Sequence, residues 1–319
     1  TSVAQAAETP TEVKTLLEAW IAVRDDADAT YAAGQAAQDA LRSWMQGAEK
    51  TSGMDGISGV AASSGTAGAP DNGASTEAAA GSRGLLAQVR EILDCGSMFG
   101  KKSVWAVGGD GWAYDIGYGG LDEVLASGEN LNVLVLDTEG YSNTGGEMSK
   151  ATQLGSVSGF ALNGKATPKK NLGRMMMAYG YVYVAQICLG ANMQQAIDAL
   201  REAENYDGPS IVIALCPCIS WGLKAGMGTS IRASKEAVEA GYWPLFRFDP
   251  RLARQGKDPL TVDCAAPNGS MKDFLAGQDR YARLASRKPE LSSRLQSELA
   301  KDCDREYQVL SRTVGVYRE

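Results

Sequence analysis

Residues 103–146 read SVWAVGGDGWAYDIGYGGLDEVLASGENLNVLVLDTEGYSNTGG: an apolar run, a glycine turn, a helical segment, a second apolar run and a polar loop. The run over 103–107 predicts a strand. Gly108, Gly109 and Gly111 follow it, where a chain turning from strand to helix needs positive φ or close approach to a ligand. A helix over 115–127 then leads through Gly128 to a second buried strand over 133–136. Two strands joined by a crossover helix make a parallel βαβ unit. Ligands of such units sit beyond the carboxyl ends of the strands, so the turn over 109–112 and the loop over 138–143 should face one crevice.

The residue types suggest what that crevice holds. Asp110 supplies a carboxylate, while Thr138, Asn143 and loop carbonyls such as that of Gly140 supply neutral oxygens. Hard-oxygen sets of this kind suit Mg²⁺ or Ca²⁺, and Mg²⁺ commonly takes one or two carboxylates together with substrate phosphates and water. Gly109 and Gly111 let backbone N–H groups approach an anion, and the positive end of the following helix adds to the attraction. The pattern therefore fits a divalent metal holding a phosphorylated cofactor. By itself it also fits an acid acting as an ordinary helix cap after a strand.

Downstream, helix, strand and helix are expected over 171–179, 181–186 and 191–205, and a buried strand over 210–215 delivers Cys216-Pro217-Cys218. Strands alternating with helices predict a doubly wound, mostly parallel α/β sheet. The adjacent Met175, Met176 and Met177 cannot share one helix face, which predicts a helix buried on several sides. The loop over 145–169 is long and polar, as lids and docking loops often are; its Lys150 and Lys165 could meet a diphosphate, but are read as solvated. A helix begins near Ser234, an edge strand is expected over 242–248, and 249–263 reads as irregular. Residues 271–316 are mainly helical and charged. Leu291, Leu295 and Leu299 recur at a spacing of four there, as if to dock on a neighbouring domain or subunit.

Upstream, Thr9 reads as an N-cap, with Pro10 at the first helical position and Glu12 closing a capping box. Val13, Leu16, Leu17, Trp20 and Ile21 share a helix face, and a second helical segment over 28–46 completes a hairpin. Residues 50–83 turn to Gly, Ala and Ser, too poor in large apolar groups to offset the entropy of ordering. An amphipathic helix over 82–96 restarts order. The expected organisation is therefore a helical hairpin over 1–49, a flexible linker over 50–83, the α/β domain over 84–248 and a helical C-terminal extension over 249–319.

The 319 residues carry a net charge of −7, which argues against nucleic acid as the main partner. No apolar run approaches the roughly eighteen residues of a membrane span. The first residues lack a signal peptide's basic and apolar regions, and the missing initiator Met suggests a processed or internal start. Six scattered cysteines form no disulfide framework, so a reducing compartment is expected, cytoplasm or organelle matrix. There is no histidine, so Ser-His and zinc-histidine mechanisms within this chain are excluded, whereas cofactor-borne chemistry stays open. A nicotinamide Rossmann site is disfavoured, because Tyr114 stands where G-x-G-x-x-G requires a small residue.

The GDG turn followed by an Asn-bearing loop resembles the thiamine diphosphate (TPP) motif. Residues 108–152, with YGYVYVAQ, LREAENYDGPS, PCISWGLKAGM and KEAVEAGYW, resemble more narrowly the TPP-binding domain of pyruvate:ferredoxin (flavodoxin) and pyruvate:NADP⁺ oxidoreductases. That resemblance implies a TPP-binding type of fold. It implies Mg²⁺ ligands at Asp110, Thr138 and the Gly140 carbonyl, and TPP-diphosphate contacts at Gly109, Asp110, Gly111, Trp112, Thr138, Glu139, Gly140, Tyr141, Ser142 and Asn143. Asn143 would lie near the reactive end of the cofactor as the catalytic residue, and Cys218 would be one of four ligands to a [4Fe–4S] cluster. Two small buried thiols near a strand end would explain the CPC tripeptide equally well. Ser220-Trp221 departs from the family, which has a polar residue there, often His.

The implied activity is CoA-dependent oxidative decarboxylation of pyruvate, with electrons leaving through Fe–S clusters to ferredoxin, flavodoxin or NADP⁺. Such enzymes are longer, and neither a Glu-bearing pyrimidine domain nor ferredoxin-type cysteine runs are found in these residues. The chain is thus expected to be the C-terminal TPP-diphosphate portion of a dimeric or larger assembly, inactive without the remaining domains or subunits. The alternative is a non-catalytic structural subunit derived from this domain.

Overall fold

The computed structural model describes residues 2–7, 9–24, 26–51 and 73–317. The chain divides into two compact units, Thr1–Lys102 and Ser103–Glu319. The first is helical: α1 (Ser2–Gln5), α2 (Thr11–Ala22), α3 (Ala27–Thr51) and α4 (Gly73–Asp94). Val13 and Leu17 of α2, Leu41 of α3, and Leu85 and Val89 of α4 share one core with Phe99. Trp20 stacks on the Phe99 ring at 4.4 Å and donates its indole N–H to the Phe99 carbonyl.

The hairpin is present, but two expectations change. Thr9 is not the cap: its hydroxyl donates to the Val3 carbonyl at 2.7 Å, and α2 starts at Thr11 with Pro10 as its N-cap residue. The expected linker over 50–83 is helical from Gly73 onward, because α4 has an apolar face to bury on this unit; the expectation for 52–72 lies outside the described residues. The helix read over 82–96 therefore packs in the N-terminal core rather than in the α/β domain, and the unit boundary falls at 102.

The second unit is built on a six-stranded sheet with order β1-β2-β4-β3-β5-β6. The strands are β1 (Trp105–Gly109), β2 (Asn132–Asp137), β3 (Tyr183–Ile187), β4 (Ser210–Leu215), β5 (Phe246–Phe248) and β6 (Leu260–Val262). The first four are mutually parallel, whereas β5 and β6 run antiparallel. Around them lie α5 (Tyr118–Ala126), α6 (Leu172–Met177), α7 (Met193–Glu204), α8 (Ser230–Glu239), α9 (Pro250–Ala253), α10 (Met271–Ala276), α11 (Asp279–Arg287) and α12 (Pro289–Thr313). All six residues of β4 are buried, as expected for a parallel strand covered on both faces. On one face Val133, Val135, Ile211 and Ile213 pack with α5, α6 and α12. On the other, α7 lays the small side chains of Ala196, Ala199 and Ala203 against Tyr183, Ala185 and Val212.

Several local expectations are corrected. The helix read over 115–127 is α5 preceded by a π-helical turn, Gly111–Ile116, which starts directly at the GDG motif. Strand β5 is shorter than expected and is not the edge, since β6 emerges from the segment read as irregular and pairs outside it. Met176 and Met177 are buried, but Met175 is 40% exposed, so α6 keeps one open side. Leu295 and Leu299 do not face a partner. With Leu291 beside them they pack into the core under this chain's own sheet, so the C-terminal extension is part of the α/β unit. The long loop is no open lid either: Ala151, Thr152 and Leu154 within it are buried.

Candidate functional site

Strand pairing assembles the site. Gly109 at the end of β1 pairs with Leu136 of β2, and Asp137 at the end of β2 pairs with Leu215 of β4. The residues following these three ends, Asp110, Thr138 and Cys216 to Cys218, therefore lie in a row along one edge of the sheet.

Asp110 is fully buried, and its hydrogen bonds come from neutral groups. Its Oδ1 accepts from the Thr138 amide at 3.1 Å and the Thr138 hydroxyl at 2.8 Å, and its Oδ2 from the Ser149 hydroxyl at 2.5 Å. The Thr138 Oγ1 also lies 3.0 Å from the Gly140 carbonyl and accepts from the Ser142 hydroxyl at 2.7 Å. One carboxylate, one hydroxyl and one carbonyl thus converge, the oxygen set expected for a Mg²⁺ site. Burial pushes the Asp110 carboxyl above its usual value; the Ser149 and Thr138 hydrogen bonds and the more distant Lys169 charge only partly offset it. Among the described residues, no group of three or more His, Cys, Asp or Glu side chains forms a metal cage. A metal here would instead rest on a single acid.

Glycine is required where the two loops meet. A Cβ on Gly111 would come within 2.4 Å of the Tyr141 ring, whose hydroxyl donates to the Gly111 carbonyl at 3.3 Å. A Cβ on Gly108 would meet the Trp112 ring at 2.4 Å. Around Gly109, by contrast, the corresponding space is open to 4 Å, leaving room for a ligand against the backbone.

Directly behind Thr138 lies a second, different arrangement. Asp137 Oδ2 accepts from the Tyr114 hydroxyl and from Lys169 Nζ, each at 2.7 Å, and Lys169 also reaches Glu139 Oε1 at 3.4 Å. Glu139 Oε2 accepts from Arg280 Nη1 at 2.7 Å and from the Tyr242 hydroxyl at 2.5 Å. Burial pushes the Asp137 carboxyl up to about 6 against the pull of Lys169. Glu139 is buried too, but Lys169 and Arg280 outweigh that cost and hold it below its usual value. Burial likewise opposes the Lys169 ammonium, and Asp137 and Glu139 overcome it, so the lattice is ionic near neutrality.

Of the residues singled out from sequence, Asp110, Thr138, Gly140 and Ser142 come together, with Gly109, Gly111, Trp112 and Tyr141 around them. Asn143 stands exposed on the same loop, outside this set of hydrogen bonds. The Glu139 side chain is turned into the protein and clamped, so it anchors the turn and leaves its backbone to face a cofactor. Lys165 is a correction. It is buried, donating to the Thr152 carbonyl at 2.5 Å and to those of Lys150 and Pro168 at 3.3 Å, and burial pushes it down to about 8. Lys150 pairs with Asp115 at 3.0 Å.

Cys218 caps a short 3₁₀ turn, Ile219–Trp221, and accepts from the Ser220 amide at 3.5 Å. Burial raises its thiol, but hydrogen bonds from Ser142 and Ser220 prevail and bring it below the ordinary value. Cys216 goes the other way, pushed up to about 11 by burial and by Asp137. Of the two thiols, Cys218 is thus the one held below its ordinary value, and its partner Ser142 belongs to the Asp110–Thr138 cluster.

Sequence reading missed Ser149, Lys169, Tyr242 and Arg280. Asp137 carried a usable signal, an acid closing an otherwise apolar buried strand, which demands a buried cation. Nothing local pointed to Lys169 or Arg280 as that cation.

The sheet, the GDG turn and the oxygen set define an α/β domain of the thiamine diphosphate-binding type. Residues 61–214 match the family "Thiamine pyrophosphate enzyme, C-terminal TPP binding domain". Among curated proteins it is 60% identical over 195 residues to a pyruvate:ferredoxin oxidoreductase of Moorella thermoacetica, covering 61% of this chain and 16% of that protein. It is 52% identical over 216 residues to a mitochondrial pyruvate dehydrogenase [NADP(+)] of Euglena gracilis, covering 68% and 12%. It is 50% identical over 231 residues to a pyruvate-flavodoxin oxidoreductase of Klebsiella pneumoniae, covering 72% and 20%. The chain spans a fifth or less of the length of each.

Proposed function

We propose that this chain forms the C-terminal, TPP-diphosphate-binding part of a pyruvate oxidoreductase that carries out CoA-dependent oxidative decarboxylation. The observation that carries this is Asp110: a fully buried carboxylate whose hydrogen-bond partners are an amide and two hydroxyls. A buried charge without a contacting cation is costly, and a divalent ion is the natural compensation. Asp110, Thr138 and the Gly140 carbonyl would hold Mg²⁺, leaving positions for diphosphate oxygens and water. The open space over Gly109 and the Ser142 hydroxyl fit the diphosphate, and Asn143, exposed on the same loop, would lie near the reactive end. When bound, TPP would supply the carbanion chemistry of 2-oxo acid decarboxylation, and a [4Fe–4S] cluster the one-electron exit. Cys218 would give that cluster one thiolate, the other ligands coming from the remaining domains or subunits. Ferredoxin, flavodoxin or NADP⁺ would accept the electrons, in a reducing compartment, within a dimeric or larger assembly. Among the described residues no helix is long and apolar enough to cross a membrane.

Titration of Mg²⁺ and TPP into the chain and into its native complex tests the reading. Binding in the complex is expected to weaken about 100-fold in Asp110→Asn, the scale on which lost metal-site contacts act. If neither preparation takes up TPP, the chain is a structural subunit. For the cluster, the complex carrying Cys218→Ser should lose iron and sulfide; full retention removes Cys218 from the ligand set.

A further inference from the structure

The Thr138–Gly140 turn is held from behind by a residue 141 positions beyond Glu139. Glu139 has φ of 61°, the left-handed region that side chains other than glycine's avoid, so something must hold it there. Its carboxylate receives Arg280 Nη1 at 2.7 Å, while Arg280 Nη2 donates to Tyr242, which itself donates to the same carboxylate oxygen. Arg280 Nε is fixed on Gln278 Oε1 at 2.8 Å. The guanidinium lies 3.8 Å from the centre of the Trp221 ring, and the Trp221 indole N–H donates to the Thr138 carbonyl at 2.9 Å. One side chain of α11 therefore acts on two successive residues of the turn, on Glu139 through its carboxylate and on Thr138 through Trp221. Thr138 presents its amide and hydroxyl to Asp110, and the same hydroxyl meets the Gly140 carbonyl. Rotation of the Thr138–Glu139 peptide would separate the oxygens.

We propose that Arg280 is the positioning residue of this turn, its planar fork and stacking face together setting the conformation in which Asp110, Thr138 and Gly140 converge. The link to Mg²⁺ rests on the function proposed above; the link to the turn does not. Lysine would keep the charge toward Glu139 but lose the second donor and the stacking plane.

The test compares full chains carrying Arg280→Met, Arg280→Lys and, as a control, Arg247→Met, which breaks the ion pairs that Arg247 of β5 makes with Glu202 and Asp263. The first readout, without ligand, is hydrogen exchange at the Thr138 and Glu139 amides, which donate to Asp110 and Asp137. Arg280→Met is expected to speed these roughly tenfold while β4 amides hold, Arg280→Lys to fall between, and Arg247→Met to leave them unchanged. The second readout is Mg²⁺–TPP affinity, expected to fall about 10- to 100-fold in Arg280→Met, the range typical when a residue supporting metal ligands is lost. Turn amides at the wild-type rate, or accelerating only in step with β4, overturn the assignment. So does an Arg280→Lys chain indistinguishable from wild type, which also serves if Arg280→Met fails to fold. A wild-type chain that binds no Mg²⁺–TPP either alone or in its native complex counts against the proposed function, and the exchange result still decides on Arg280.

Discussion

Asp110 and Glu139 are both fully buried carboxylates at the carboxyl ends of neighbouring strands, yet they are compensated in opposite ways. Glu139 meets an arginine, a lysine and a phenol, and its proton affinity is lowered. Asp110 meets hydroxyls and an amide, and its proton affinity is raised. A carboxylate whose charge is answered by the protein is finished structure. One that is ringed by neutral donors has its charge left over for something the chain does not supply. The contrast separates scaffold from site within three consecutive residues, since Thr138 bonds to Asp110 while Glu139 belongs to the lattice behind it.

The largest test of that division is on the scaffold side. Lys169→Met would leave Asp137 and Glu139 short of a buried cation, and breaking one partner of such a lattice costs about 3–5 kcal/mol. Urea unfolding should show a midpoint far below wild type. A loss under about 1 kcal/mol would mean that water, not Lys169, balances these acids, and the contrast with Asp110 would dissolve.

A smaller effect of opposite sense is expected on the site side. A carboxyl whose folded value lies above its unfolded one stabilises the fold only while protonated, so its contribution is lost as pH rises through that raised value. Ligand-free Asp110→Asn keeps hydrogen-bonding atoms in place without the charge. Its unfolding free energy should stay within about 1 kcal/mol of wild type, with the balance shifting in the variant's favour as pH rises from the ordinary carboxylate range through the raised value of Asp110. Saturating Mg²⁺ and TPP should reverse the order, because ligand stabilises only the wild type. Equal pH profiles for the two chains would show that Asp110 is not the strained acid described here.

Much of the site was legible because its essential parts are local. Strand, GDG turn and second strand follow within some thirty residues, and βαβ geometry alone brings their carboxyl ends to one crevice. What misled was context. Leu291, Leu295 and Leu299 gave a correct helix period but no address for the face they form, and it closes on the chain's own core. Lys165 reads as a solvated lysine in a polar loop, yet three backbone carbonyls receive it inside. Edge strand β6 carries only three residues of ladder, too few for a periodic signal.

Composition and order of residues were thus sufficient for the α/β class, the crevice and the meeting of Asp110, Thr138 and Gly140 there, because hydrophobic period and glycine placement are properties of neighbours in the chain. Tertiary structure alone decided which buried acid is neutralised and which is not. Lys169 and Arg280 reach Glu139 across 30 and 141 positions, and electrostatics in a low-dielectric interior depends on distance in space rather than along the sequence.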